Sequence, residues 1–96
     1  MRALSELRVD VAFLGTNGLS VERGLTTPDE SEATVKRMMY SAAHRRILLA
    51  DHSKIGHASM LKYADLSDID LLITDNEVQD RDVKKLRDAG LAVRCV

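Results

Sequence analysis

Gly15-Thr16-Asn17, Asp51-His52-Ser53-Lys54 and Asp75-Asn76 are the places in this 96-residue chain where polar side chains follow directly on apolar runs. Each run reads as a strand, so each polar group stands at a strand's carboxyl end. In open parallel sheets, ligands sit just beyond those ends. Lys54 supplies a compact cation suited to phosphate or carboxylate. Ser53 and Thr16 supply hydroxyls, and Asp51 and Asn17 can accept from the hydroxyls of a sugar. Gly15 and Gly18 around Thr-Asn mark a tight turn whose backbone can approach a ligand closely. The set suits a small polar or anionic ligand; the competing reading is ordinary strand-ending turns. Glu32 and Lys36 are four apart in the favourable Glu-before-Lys order. They read either as a solvated pair or, since their helix begins beside the strand ends, as further ligand contacts.

Other chemistries are disfavoured. His44, His52 and His57 form no metal-ligand spacing on one element, and Cys95 has no second thiol, so no metal is expected. Asp51, His52 and Ser53 are sequence neighbours, unlike a hydrolytic triad, and no nucleophile elbow is present. Gly15-Thr16-Asn17-Gly18 matches neither a dinucleotide fingerprint nor a P-loop, and no cofactor is implied.

The elements that must position these residues alternate between strand and helix. The first strand is expected over Val9–Leu14. Thr27-Pro28-Asp29-Glu30 reads as a helix start, with Thr27 capping, Pro28 first in the helix and Glu30 completing a capping box. Val35, Met38, Met39 and Ala42 then give an apolar face to a helix over 28–43, with the methionines as core filler. A second strand is expected over Ile47–Ala50, buried on both faces as its unbroken apolar run suggests. The stretch 55–68 is ambiguous, apart from a possible helical turn at Leu66–Ile69. A third strand is expected over Asp70–Thr74, then a helix over 77–89 with Val78, Val83, Leu86 and Ala89 inward and Gly90 as its stop. Leu91–Val96 forms a last strand, with Cys95 a small buried core residue. The alternation predicts an α/β fold: an open parallel sheet with flanking helices. Leu4 and Leu7 read as the end of a helix, and a sheet flank left open suggests a missing N-terminal half or a partner that covers it.

Size and charge set bounds. The chain suffices for one small domain or part of one. Its 14 basic and 15 acidic residues nearly cancel, which argues against a phosphate-tracking nucleic-acid surface. Tryptophan is absent and aromatics make up 3%, too few for a base-stacking platform. No apolar stretch approaches the length of a membrane span, no signal peptide is read, and a lone cysteine fits a cytoplasmic protein.

Phe13-Leu14-Gly15-Thr16-Asn17-Gly18, Glu32 with Lys36-Arg37-Met38-Met39, Leu49-Ala50-Asp51-His52-Ser53-Lys54-Ile55-Gly56 and Thr74-Asp75 together carry a resemblance. From about Val9 to its C-terminus the chain resembles the C-terminal effector-sensing domain of DeoR-family bacterial transcription repressors. The Asp-His-Ser-Lys turn followed by Gly56 is the most specific element. The resemblance implies a fold similar to ribose-5-phosphate isomerase and glucosamine-6-phosphate deaminase. It also implies a phosphorylated sugar or related metabolite as inducer, and an oligomeric sensor. Gly15, Thr16 and Asn17 match the loop after the family's first strand here and Glu32 and Lys36 match charged helix positions, while Asp51, Ser53 and Lys54 resemble a strand end in ribose-5-phosphate isomerase where the lysine helps hold the sugar phosphate. The family's helix-turn-helix and the N-terminal half of its sensor, with the phosphate-cradling loop, are not found in these 96 residues. DNA would thus be reached only through a segment outside this chain.

The expected function is the C-terminal part (residues 1–96) of such a sensor domain, whose ligand controls DNA binding by the intact repressor, and not an enzyme. Two alternatives stand beside it. An isomerase-like remnant would need a carboxylate cluster after the first strand, where Thr16-Asn17 stand instead. An oligomerisation fragment would follow from an open sheet flank.

Overall fold

The computed structural model describes residues 9–96; the helix end expected at Leu4 and Leu7 lies outside them. Four parallel strands form the main sheet in the order β1-β4-β6-β7: β1 Val9–Gly15, β4 Ala43–Leu49, β6 Leu71–Thr74 and β7 Val93–Cys95. Helix α1, Glu30–Ala42, precedes β4, and helix α2, Asp80–Asp88, joins β6 to β7. The fold is α/β, a parallel sheet with flanking helices, as the alternation predicts.

A second, antiparallel sheet was not foreseen. It orders β2 (Gly18–Ser20), β3 (Gly24–Thr27) and β5 (Leu61–Ala64). These strands have three or four residues each, too few to show a period, and Gly18 and Gly24 at their starts read as loop. Leu61-Lys62-Tyr63 does alternate, with Lys62 exposed and Tyr63 buried. The expected turn after β5 is a 3-10 helix, Leu66–Asp68.

Several boundaries move. Asp29, not Thr27, caps α1: its Oδ1 accepts from Ser31 N at 2.8 Å and Glu32 N at 3.3 Å, and Pro28 lies outside the helix. Thr27 is instead paired in β3 with Leu61 and fully buried. Strand β4 starts at Ala43, directly after α1, although His44, Arg45 and Arg46 are polar. Arg46 is held there because its amide donates to Asp70 Oδ2 and its guanidinium donates to the Tyr40 and Asp68 carbonyls. Helix α2 is shorter than expected, since Asp75 Oδ1 accepts from Glu77 N and holds 75–77 in a turn. It stops where Gly90 takes φ +97°, as its sequence predicts. Strands β6 and β7 are shorter than expected, and β1 extends to Gly15.

The core lies on one face of the main sheet. Ala12, Leu14, Leu48, Leu72 and Val93 meet Ala33 and Tyr40 of α1, Val83 and Leu86 of α2, and Leu19, Leu25 and Tyr63 of the small sheet. The register puts Phe13, Ile47 and Leu71 side by side on the other face, with Leu49 beside Ile73. There Phe13 is 59% exposed and Leu49 45%. The expectation that the Ile47–Ala50 run is buried on both faces is therefore corrected only in part: on this second face Ile47 is buried but Leu49 is exposed, because both helices and the small sheet pack into a single core on the other face. Cys95 is also corrected. It is exposed, because it ends the edge strand β7, of which only Val93 is buried. Ala89 is exposed as well, past the end of α2, while Met39 packs on the core as expected.

Candidate functional site

The carboxyl ends of β1, β4 and β6 lie side by side because Gly15 pairs with Leu49 and Leu49 pairs with Ile73. From these ends the sequence-predicted residues sort into two groups.

The first group lies around the loop after β1. Thr16 Oγ1 lies 3.0 Å from the Gly18 carbonyl and 3.2 Å from that of Thr26, which ties the loop to the small sheet. Thr27 Oγ1 lies 3.1 Å from Asn17 Oδ1 and 3.4 Å from Glu32 Oε2, both of which can accept its proton. Lys36 Nζ sits 5.1 Å from the centre of the Tyr63 ring, and the Tyr63 hydroxyl reaches the Gly15 carbonyl at 3.5 Å. Burial lowers the Lys36 pKa against the opposing pull of Glu32. So Gly15, Thr16, Asn17, Glu32 and Lys36 do converge, through two residues that the sequence did not single out as contacts. By sequence Thr27 suits a cap and Tyr63 lies in the ambiguous stretch, where alternation around it is the one available signal.

The second group is the turn after β4, a 3-10 helix over His52–Lys54. Asp51 caps it, its Oδ1 accepting from Ser53 N at 2.9 Å and from the Ser53 hydroxyl. Those two bonds, the hydroxyl first, hold the Asp51 carboxyl below the ordinary carboxylate range. Asp75 at the end of β6 pins the turn from the other side. Its Oδ2 accepts from His52 N at 2.9 Å and faces His52 Nδ1 at 2.9 Å, with Glu77 Oε2 at 3.5 Å from the same ring nitrogen. The Asp75 contact raises the His52 pKa, and the His52 amide and ring together lower that of Asp75. Nothing in the residues around His52 indicates this partner. The link spans 23 residues and is made only when β4 and β6 pair.

The turn then folds back. Gly56 N donates to the Leu19 carbonyl at 2.7 Å, and Ile55 bridges Leu19. This brings the 51–56 turn against β2 and hence beside the loop after β1. No side-chain hydrogen bond or ion pair joins the two groups among the described residues. Lys54 is half-buried and has no ion pair among them. What the arrangement offers is an ammonium, hydroxyls and acceptors around adjoining strand ends, suited to a small anion that carries hydroxyls. One donor atom from each of His52, Asp75 and Glu77 lies within 4.8 Å of the others, a spacing that a metal ion also tolerates. The hydrogen bonds among them already account for it.

A sequence profile of the DeoR C-terminal sensor domain matches residues 1–76, which includes every residue of both groups except Glu77. The chain belongs to that family. This sensor domain is similar to the HTH-type transcriptional regulator GlpR of Haloferax volcanii, 45% identical over 84 residues that make up 88% of this chain and 33% of the relative. It is similar to the HTH-type transcriptional repressor GlcR of Bacillus subtilis, 50% identical over 72 residues, 75% of this chain and 28% of the relative. A putative aga operon transcriptional repressor of Escherichia coli O157:H7 is 35% identical over 92 residues, 96% of this chain and 34% of the relative. The sensor domain thus spans about a third of the length of the curated relatives it matches. No helix among the described residues is long and apolar enough to cross a membrane.

Proposed function

We propose that this chain is the C-terminal part of the effector-sensing domain of a DeoR-type transcriptional regulator. Its ligand is a phosphorylated sugar or related metabolite, and occupancy controls DNA binding by the intact protein through a segment outside these 96 residues. Gly15, Thr16, Asn17, Glu32, Lys36, Asp51, Ser53 and Lys54 form the binding surface. The observation that carries this reading is Lys54: a half-buried lysine without an ion pair among the described residues, held in the turn at adjoining strand ends next to Ser53. The names of the relatives support the regulatory role, and none describes catalysis. The loop after β1 presents Thr16 and Asn17 where an isomerase needs carboxylates, which supports a binding role without turnover.

Melting this chain against a panel of sugar phosphates, with inorganic phosphate as control, tests the reading. One sugar phosphate is expected to raise the melting temperature with dose, and Lys54→Ala is expected to remove most of that rise. A folded sample that responds to no sugar phosphate overturns ligand binding by this chain.

A second reading, self-association, is favoured by the apolar face that carries Val11, Phe13 and Leu49, all exposed. Light scattering with and without sugar phosphate separates the two: a size change independent of ligand favours association.

A further inference from the structure

We propose a second ligand site in this chain, a pocket for a small oxyanion (carboxylate or phosphate) between α1, β4 and β5. The pocket encloses about 260 Å³ and is lined by Arg37, Tyr40, Ser41, Arg46, Tyr63 and Asp68, together with Ala64. It shares none of the eight residues proposed above and stands or falls independently of them. Arg46 lies five residues before Asp51, which is about 16 Å along the chain from that turn at about 3.3 Å per residue.

Two guanidinium groups line one small cavity, with a single carboxylate to oppose them. Neither pairs with an acid among the described residues. Arg46 is fixed in place: Nε donates to the Tyr40 carbonyl at 2.7 Å and one terminal nitrogen to the Asp68 carbonyl at 3.1 Å. Arg37 donates to the Lys62 carbonyl at 2.8 Å. A guanidinium has five N–H groups, so each retains donors that these carbonyls do not use. Two cations that line one pocket favour an anion between them. A pre-positioned guanidinium fork is the group best matched to carboxylate or phosphate. The wall is also polar beyond what packing requires. The Tyr40 hydroxyl is buried beside Tyr63, and burial first, then the nearby Tyr63, raises its pKa well above the ordinary value. Asp68 narrows the choice, since its carboxylate favours an anion that also carries a hydroxyl donor. The volume is below the roughly 300–1,000 Å³ of sites for drug-sized molecules, so the occupant is a compact metabolite.

The experiment is an NMR titration of the isotope-labelled chain with inorganic phosphate and, separately, glycolate, at ionic strength held constant with chloride. The Arg37 and Arg46 Nε–Hε signals are the readout. Both are expected to move saturably, with one dissociation constant below about 10 mM for at least one of the two anions. The movement persists in Lys54→Ala, which separates this pocket from the strand-end site. Arg37→Gln is expected to weaken the Arg46 response about tenfold or more, as the loss of a charge-assisted hydrogen bond implies. Ser41→Glu, which places a carboxylate at the exposed rim, is expected to block it should Arg37→Gln disturb the fold. Arg46 signals that shift linearly without saturation, or that respond equally in Ser41→Glu and Arg37→Gln, overturn the proposal.

Discussion

His52 and Asp75 show how a single contact organises a loop. Asp75 accepts from both the amide and the ring of His52, so one carboxylate fixes the backbone and the side chain of the turn that carries Lys54. The pH dependence follows from the two shifts. The His52 pKa is raised from 6.5, so its contribution is complete below that value and is lost as pH rises through the raised folded value. The Asp75 pKa is lowered from 3.8, so its contribution is complete above that value and is lost as pH falls through the lowered folded value. The pair therefore holds the turn between those limits. Following the His52 ring resonance against pH should give a midpoint above 6.5, and Asp75→Asn should bring it back toward the ordinary value. An unchanged midpoint in Asp75→Asn would show that another group sets the shift.

At the scale of elements, the small antiparallel sheet sets the loop after β1. Gly18 begins β2, and a Cβ there would lie 2.4 Å from the His57 carbonyl oxygen and 2.7 Å from Thr26 Oγ1. The first of these is backbone and cannot swing aside. Gly15, also at the strand end, would place a Cβ 3.8 Å from its nearest neighbour, an ordinary contact. Gly18→Ala should therefore cost about 1–3 kcal/mol, the range for forced backbone shifts, whereas Gly15→Ala should stay within about 0.5 kcal/mol. Urea midpoints of the two variants check this, and equal midpoints would mean that the 57–59 segment yields easily. The second glycine of the Gly-Thr-Asn-Gly turn thus serves the approach of the chain to itself, where the sequence suggested approach to a ligand.

At the scale of the whole molecule, the two faces of the main sheet are energetically unlike. Leu48 is fully buried in the single core, while Phe13, one strand away, is 59% exposed on the other face. Leu48→Ala should cost about 2–5 kcal/mol, combining lost transfer energy with a cavity. Phe13→Ala should stay near the ±0.5 kcal/mol of surface changes, despite removing more carbon. Denaturant unfolding of both measures it; a Phe13 loss as large as that of Leu48 would mean that this face is covered in solution.

The order of the main strands, the two helices, the stop at Gly90 and the polar groups at the strand ends were legible in the residues. These depend on local physics: apolar runs, helical spacing, a left-handed glycine and sharp polarity changes. The resemblance to the DeoR sensor domain rested on the same segments, and the profile match agrees with it. What only the tertiary structure decided depends on long-range pairing. Short strands such as Gly18–Ser20 have no periodicity of their own and form because β3 and β5 offer them partners. The cap moved from Thr27 to Asp29 because Thr27 was taken into that sheet, where its hydroxyl meets Asn17 and Glu32. Tyr63 entered the neighbourhood of Lys36, and Asp75 that of His52, across 27 and 23 positions of chain. Burial of a strand's second face cannot be read from its apolar run, since that run states only that neither face is polar. Which face meets the helices, and which leaves Phe13 and Leu49 exposed, is settled by where the chain returns to pack.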